Sequence, residues 1–432
     1  MQTLKTYTPE RNSGIRKKAL HKDFSAFANI AEQNASEAAF LWLLRSRAVT
    51  SPLYYSVDIR ELDERIEANL DGLATVGELG WQVCADQLAY EEAGEIFTAA
   101  VVALRSRNAA RIKMVCEQAL TTPEMTKGLI SALGWVETEI AQFWIQRFLS
   151  VTDPKYRFLG LATCSVRRED PGKYFMVILQ DPDLSKYPAT HARALRLIGE
   201  LNRRDLLPAL NAAMDADEPL VRFWANWSAV LLGNAAAAEN LKPNLLTDDE
   251  LSDKAIKLIF SVLPVNSGRK WITELVGKPE LIRIVIKAIG ILGDPHAIPW
   301  LIQQMHNVTL SRLAGWSFCQ ITGIDLESSN MTVDEPQEQV SGPTDEAEDE
   351  NIDMDEDEEL PWPDVQKITR LWQVHNQLLQ AGQRYFQGQE VNKQVLAQIF
   401  VSANLQQKEL AALQRAILDK NTMLVNTRSR EL

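Results

Sequence analysis

The side chains best suited to acid–base catalysis or metal binding are few and far apart in this chain. Its five histidines are His21, His191, His296, His306 and His375. Two of them, His296 and His306, share one predicted repeat, but ten residues of helix rise about 15 Å, which is too far for both to bind one ion. We therefore interpret these histidines as surface or turn residues.

The four cysteines also form no recognisable site. Cys84, Cys116, Cys164 and Cys319 include no CxxC pair and have no histidine beside them, so they predict neither a zinc site nor a disulfide framework. The phosphate-binding GxxxxGKS/T pattern, the GxSxG nucleophile elbow and HExxH do not occur. We expect buried free thiols in a reducing cytoplasm, no cofactor or metal, and no enzymatic activity.

A short acidic segment accounts for the negative charge of the chain. Residues 334–359 hold 14 acids and no Lys or Arg, so a formal charge of −13 leaves +1 for the rest. A near-neutral body has no general field to attract a polyanion, which argues against nucleic acid as the partner.

The same segment contains a partial calcium-binding pattern. Asp353, Asp355 and Asp357 imitate the opening of a calcium loop, but Glu358 stands where that loop needs glycine. A solvated, disordered linker is the main interpretation. Alternatively, these acids could occupy a basic surface on a partner or in this protein's own groove.

Tryptophan is frequent, with eleven in the chain, and interfaces favour tryptophan as an anchor. Most of those in the predicted solenoid are expected to fill its core: Trp135, Trp144, Trp224, Trp227, Trp271, Trp300 and Trp316. A tryptophan flanked by two prolines, as in PWP, cannot easily be buried within its own helix. The candidate protein-binding residues are Trp300, Trp316 and Trp362, together with Asp353, Asp355 and Asp357.

The elements that position these residues are predicted to be helices. From Phe24 to Arg45 apolar residues recur at helical spacing and end in FLWLLR, which predicts one long, well-buried helix. A second amphipathic helix is predicted from one apolar stripe: Ile59, Leu62, Ile66, Leu70 and Leu73. Strand-like alternation is nearly absent.

Two runs, IGELNRRDLLPALNAAM and IGILGDPHAIPWLIQQM, align without a gap. Gly199 and Pro208 in the first correspond to Gly290 and Pro299 in the second, 91 residues later, which is about three repeats of ~30 residues. Proline is tolerated early in a helix because no amide donor is needed there. Glycine inside a helix costs about 1 kcal/mol, so we expect neighbouring helices to approach closely at both glycines.

These patterns predict an all-α solenoid. Its predicted parts are an N-terminal helical region (1–90), a repeat solenoid (91–323), an acidic disordered linker (324–359) and a C-terminal helical module (360–432). No apolar run reaches the ~18 residues of a membrane span, and no signal-type apolar run follows the basic N-terminus. We expect a cytoplasmic protein.

Several stretches resemble known proteins. The GDPHAIPWL junction resembles HEAT repeats, including the short bacterial type of the phycobilin lyases. More specifically, five stretches together resemble one family of Gram-negative HEAT-repeat proteins often encoded beside type VI secretion genes. They are FLWLLRSRAV, ELDERIEANLDGL, the acidic run leading into LPWPD, RYFQGQ and the terminal NTR. The resemblance implies a HEAT-like α-solenoid, and the family offers no agreed catalytic residues.

The resemblance favours a protein-binding scaffold, an adaptor or chaperone for loading a type VI secretion effector or spike. Its partner would be an effector, a spike or PAAR-like component. A cytoplasmic immunity protein that neutralises a toxin is the first alternative, since the acidic segment could cap a basic nuclease surface. A HEAT-type lyase or DNA-repair enzyme is the second. The lack of clustered His, Cys or paired acids argues against the lyase, and the near-neutral body against DNA repair.

Overall fold

The computed structural model of the protein describes residues 13–247, 249–336 and 355–430, with side chains from Phe27 onward. Within these residues the chain forms 21 α-helices and one two-stranded sheet. The predicted all-α fold is confirmed. The chain divides into two compact units, the first formed by residues up to Ala48 and Val57–Arg147, the second by Val49–Ser56 and Phe148–Arg430.

The first unit contains α1 to α6 and most of α7. Their bounds are α1 Ser13–Ala48, α2 Ser56–Thr75, α3 Glu78–Gln87, α4 Ala93–Ser106, α5 Ala109–Ala119, α6 Pro123–Trp135 and α7 Thr138–Ser150. Helix α1 packs on α3 and α4, and α4 packs on α6. The domain boundary predicted at residue 90 therefore lies inside a compact unit, where α3 contacts α4.

An aromatic cluster joins three helices of this unit. Trp42 of α1 stacks on Phe97 of α4 with ring centroids 5.5 Å apart, and Phe97 meets Trp135 of α6 edge-on at 5.3 Å. The helix predicted to be well buried is buried on one side, since Leu41 and Trp42 are buried but Phe40 and Leu43 are 61% and 50% exposed. Consecutive helical residues point to different faces, and only one face of α1 packs against neighbours.

The amphipathic stripe predicted for α2 is confirmed, since its five apolar residues are all buried. Beside them, Arg45 of α1 forms an ion pair with Asp63 of α2, and both side chains are buried. A buried carboxylate opposite a buried guanidinium fixes the register of the two helices, because losing either partner would leave an unpaired charge in the interior.

The second unit continues the helical pairs. Its helices are α8 Pro154–Arg167, α9 Lys173–Leu179, α10 Pro188–Glu200, α11 Leu207–Ala213, α12 Pro219–Leu231, α13 Ala238–Leu241, α14 Glu250–Val262, α15 Val265–Val276, α16 Ile282–Leu292, α17 Ile298–Gln304 and α18 Val308–Thr322. Helices α8, α10, α12, α14, α16 and α18 pack side by side in this order, and we call them the ladder helices. The helices between them, α9, α11, α13, α15 and α17, each pack on the ladder helix that follows.

The repeated glycines lie where ladder helices approach closely. A Cβ added to Gly290 of α16 would come within 3.1 Å of the Cα atom of Ser317 in α18, and the Ser317 hydroxyl donates a 2.7 Å hydrogen bond to the carbonyl of Ile286. Gly199 and Ser228 repeat this contact between α10 and α12. Three helical pairs separate α10 from α16, so the predicted repeat length and close approach are both confirmed.

The C-terminal part adds α19 Val365–His375, a short hairpin of β1 Tyr385–Phe386 and β2 Gln389–Glu390, α20 Lys393–Ser402 and α21 Leu405–Leu418. Helices α20 and α21 pack on each other, and α21 packs on α14. These elements belong to the same compact unit as the ladder helices.

The RYFQGQ stretch caps the C-terminal ends of three ladder helices. Arg384 donates hydrogen bonds of 2.5 and 2.7 Å to the carbonyls of Phe260 and Leu263 at the end of α14. The Tyr385 amide donates to the carbonyl of Gly293, which ends α16. The amides of Gln387 and Gly388 donate to carbonyls in the last turn of α18. These carbonyls have no partner within their own helices.

The tail after α21 caps two further ladder helices. The Leu424 amide donates a 3.1 Å hydrogen bond to the carbonyl of Glu200, the last residue of α10. The Asn426 side chain donates at 2.7 Å to the carbonyl of Val166, near the end of α8. We call residues 384–428 the C-terminal strap, because it crosses the ends of the ladder helices from α18 back to α8.

The segment predicted as a disordered linker has defined structure at both ends. Thr332 and Pro363 form an antiparallel bridge, and the Val333 amide donates to the carbonyl of Trp362 at 3.0 Å. Residues 355–359 contact the ladder helices. The prediction for 337–354 lies outside the described residues.

In the described part of the chain, no helix combines the length and apolarity needed to cross a membrane.

We predict that replacing Gly290 by Ala lowers the free energy of unfolding by about 1–3 kcal/mol, because the new methyl group must displace the backbone of α18. Gly277→Ala is the matched control, since a Cβ there meets nothing within 4 Å, and should change stability by less than about 0.5 kcal/mol. Urea denaturation measures both. Equal effects would show that the ladder helices do not approach closely at Gly290.

A second prediction concerns the strap. Arg384→Met removes both donors to the end of α14, so the free energy of unfolding should fall by about 2 kcal/mol or more and amide exchange in the last turn of α14 should accelerate. Arg370→Met, at an exposed position of α19, should change neither. Unchanged exchange in α14 after Arg384→Met would contradict the capping role.

Candidate protein-binding cleft

A cleft of about 520 Å³ lies in the second unit, against the ladder helices α14, α16 and α18. Its apolar lining includes Ile256, Ile291, Leu313 and Trp316, one or two residues from each helix. Lysine side chains, Lys257 and Lys287, lie beside them. Gln406 of α21 and residues near Pro52 complete the walls, so the strap region and the ladder helices build the cleft together.

One wall of the cleft is made by residues 355–360, which we call the acidic turn. The Asp355 side chain accepts a 3.0 Å hydrogen bond from the Asp357 amide, and the Leu360 amide donates to the Asp357 carbonyl at 2.8 Å. These local bonds hold the turn in a compact conformation. The third aspartate of the series, Asp353, lies outside the described residues.

Arg283, in the first turn of α16, binds the acidic turn. Its Nη2 and Nη1 atoms lie 2.7 and 3.0 Å from the two carboxylate oxygens of Asp357, and Nη2 is 2.9 Å from the carboxylate of Glu356. A two-point guanidinium–carboxylate contact is short and geometrically specific. Burial opposes the charge of Arg283, but its hydrogen bonds to Asp357 prevail and raise its pKa above the ordinary value.

Arg312 of α18 holds the other end of the turn. It forms an ion pair with Asp355, and its guanidinium lies 4.4 Å from the ring centre of Trp362. Arg312 is 6% exposed, so the charge needs both the carboxylate and the aromatic face to offset its lost hydration. The tryptophan of the PWP stretch is accordingly half-buried.

The other candidate tryptophans fall in different places. Trp316 lines the cleft, and its Nε1 donates a 2.7 Å hydrogen bond to Gln406. Trp300, on α17, is half-buried and is not among the cleft residues. Four of the seven solenoid tryptophans are buried, as expected of core residues: Trp135, Trp224, Trp227 and Trp271. That any of the six candidates binds a protein stays a prediction.

Sequence reasoning missed the arginines that hold the acidic turn. Lys254, Arg283 and Arg312 lie 29 residues apart in the sequence, close to one repeat, and occupy successive ladder helices. A basic residue recurring at the repeat period was the available signal, because equivalent positions of a repeat face the same way. Without an assigned repeat frame, this spacing had no visible meaning.

Glu409 of α21 lies between two cations. Its carboxylate is 2.6 Å from Lys257 Nζ and 3.4 Å from an Nη atom of Arg428. Burial opposes the charge, but Lys257 and Arg428 outweigh it and lower the pKa of Glu409 from 4.5 to about 2. Lys257 and Arg428 thus stabilise the ionised form of Glu409.

The described residues bring together no group of three or more His, Cys, Asp or Glu side chains that could hold a metal ion. Cys84, Cys116 and Cys164 are buried, and burial raises the pKa of each thiol to about 12. Cys319 is less covered, but desolvation raises its pKa to about 12 as well. Such thiols are not nucleophilic at neutral pH.

The lowered pKa of Glu409 makes the free energy of unfolding depend on pH. Since it lies below 4.5 in the folded protein, the ionised carboxylate stabilises the fold fully above about pH 4.5, and this stabilisation is lost as the pH falls towards 2. Glu409→Gln should lower the free energy of unfolding at pH 7, and its difference from wild type should shrink between pH 4.5 and 2. A difference that is constant over this range would contradict the ion-pair assignment.

Comparison with known proteins identifies one part of the chain. Residues 178–258, which contain α10 to α13 and most of α14, match the family model for HEAT repeats. No curated protein and no solved structure matches the chain. The chain is thus an all-α solenoid with HEAT repeats at residues 178–258, and such repeats typically mediate protein–protein interaction and are typically not catalytic.

Proposed function

We propose that the protein is a non-catalytic scaffold that binds another protein through the cleft, acting as an adaptor or chaperone for loading a type VI secretion effector or spike. The observation that carries the proposal is the composition of the cleft. A half-buried indole and apolar side chains line the same space of about 520 Å³ as three cations and six acidic residues.

This combination suits the anchor residues of a protein partner. Interfaces place a few large side chains in apolar pockets and surround them with polar and charged groups. In the cleft, Ile291, Leu313 and Trp316 supply the apolar part, while Lys257 and Lys287 supply the polar surroundings. A segment of another protein could bury one or two side chains here and extend across the neighbouring ladder helices.

The secretion context is supported by the sequence resemblance alone. FLWLLRSRAV, RYFQGQ and the other quoted stretches are similar to those of HEAT proteins often encoded beside type VI secretion genes. RYFQGQ caps ladder helices in the structure, so this stretch preserves the fold that presents the cleft.

Binding to each candidate partner can be measured with purified proteins. Trp316→Ala should weaken binding of the true partner by about tenfold or more, as expected of an interface anchor. Lys287→Glu, which alters the cleft without touching its apolar floor, should weaken it as well. Trp300→Ala is the matched control, since it removes a half-buried indole outside the cleft. Equal affinities for all three variants would exclude the cleft as the binding surface.

A genetic experiment separates the adaptor from the immunity protein. Deleting the gene from an attacking strain should abolish delivery of the partner effector and leave the strain's survival beside toxin-producing neighbours unchanged. Loss of survival with normal delivery would instead identify an immunity protein and contradict the adaptor role.

A further inference from the structure

Three guanidinium groups converge on one buried carboxylate near the other end of the ladder. Glu200, at the end of α10, is 1% exposed, and its oxygens lie 2.8 Å from Arg196 Nε and 3.3 Å from an Nη atom of Arg168. Ser165 donates a hydrogen bond to the same carboxylate, and Arg193 donates to the Ser165 hydroxyl at 3.4 Å.

Positive charge is in excess around this carboxylate. We call the following six residues the basic cluster: Arg168, Arg193, Arg196, Lys254, Lys257 and Arg428. Ion pairs join five of these cations to three carboxylates, those of Glu200, Glu250 and Glu409. The near-neutral total charge of the chain outside the acidic segment therefore conceals a locally basic surface.

Arg193 shows the imbalance most clearly. Within the described part of the chain it makes no ion pair; its contacts are the Ser165 hydroxyl and the ring of Phe158, 5.4 Å from the guanidinium. Burial and the neighbouring cations Arg196 and Arg168 lower the pKa of Arg193 to about 9. The residue nevertheless keeps some exposure to solvent.

The opposite end of the ladder shows how such cations are satisfied. There Asp355 and Asp357 of the acidic turn bind Arg312 and Arg283 on α18 and α16. At the basic cluster, the described residues supply no equivalent acidic segment. The two ends differ at Arg193, which has no carboxylate as an ion-pair partner among the described residues.

We propose that the basic cluster, which α10, α14, the end of α8 and the C-terminal strap build together, is the binding site for an acidic segment of the partner protein, whose Asp or Glu side chains bind Arg193, Arg196 and Lys254. Guanidinium groups recognise carboxylates by two-point contacts, as Arg283 does with Asp357. The inference rests on the proposed scaffold function and adds the chemistry of the partner.

The test measures binding of a fluorescein-labelled peptide of alternating Glu and Ser to the full chain, by fluorescence anisotropy at low and physiological salt. We expect saturable binding that weakens as salt rises. Arg193→Gln/Arg196→Gln should weaken it at least about tenfold. Because Arg196 also forms an ion pair with Glu200, the pair Lys254→Gln/Arg428→Gln, whose ion pairs are with other carboxylates, is made in parallel and should weaken binding in the same way.

The control variant is Lys270→Gln/Lys278→Gln, which removes the same charge at exposed positions outside the cluster and should change affinity less than about twofold. Equal binding of a Gln/Ser peptide, or equal effects of control and cluster variants, would overturn the proposal. Tighter binding of pyrophosphate or of single-stranded DNA than of the Glu/Ser peptide would overturn it too. These results are independent of the Trp316 experiment, so either hypothesis can fail alone.

Discussion

The carbonyl groups at the C-terminal ends of the ladder helices are the constraint on which the second unit depends. Each helix leaves its last carbonyls without a partner, and helices stacked side by side present these acceptors in a row. The strap supplies the donors, from Arg384 and Tyr385 at α14 and α16 to Leu424 and Asn426 at α10 and α8. The C-terminal part is thereby bound along the repeats, and this places Gln406 of α21 in the wall of the cleft.

The surface of the ladder helices that the strap does not cover differs in charge from place to place. The ladder helices carry basic residues at the repeat period, and carboxylates contributed by later parts of the chain neutralise them unevenly. Asp357 and Asp355 cover Arg283 and Arg312, whereas Arg193 has a hydroxyl and an aromatic ring as its contacts. One set of helices thus provides a cleft whose arginine Arg283 is neutralised by carboxylates, and a surface on which Arg193 has no such partner among the described residues.

Short-range patterns in the sequence predicted the helices and their repeat. Contacts between residues far apart in the sequence could not be predicted from such patterns. Helical periodicity determines which face of α2 is buried, and the glycine at position 290 marks a close helix contact, since both follow from local geometry. The Arg283–Asp357 pair joins residues 74 positions apart, and no local rule specifies such a pairing. The exposure of Phe40 was missed because composition alone does not say which side of a helix finds a neighbour.

Hydrogen–deuterium exchange of the full-length protein tests most directly whether the C-terminal strap is a fixed part of the solenoid. We expect the amides of Tyr385, Gln387 and Leu424, which donate to ladder-helix carbonyls, to exchange as slowly as amides within α16, because they open only when the packed unit opens. Exchange of these amides at the rate of an unstructured peptide would contradict it.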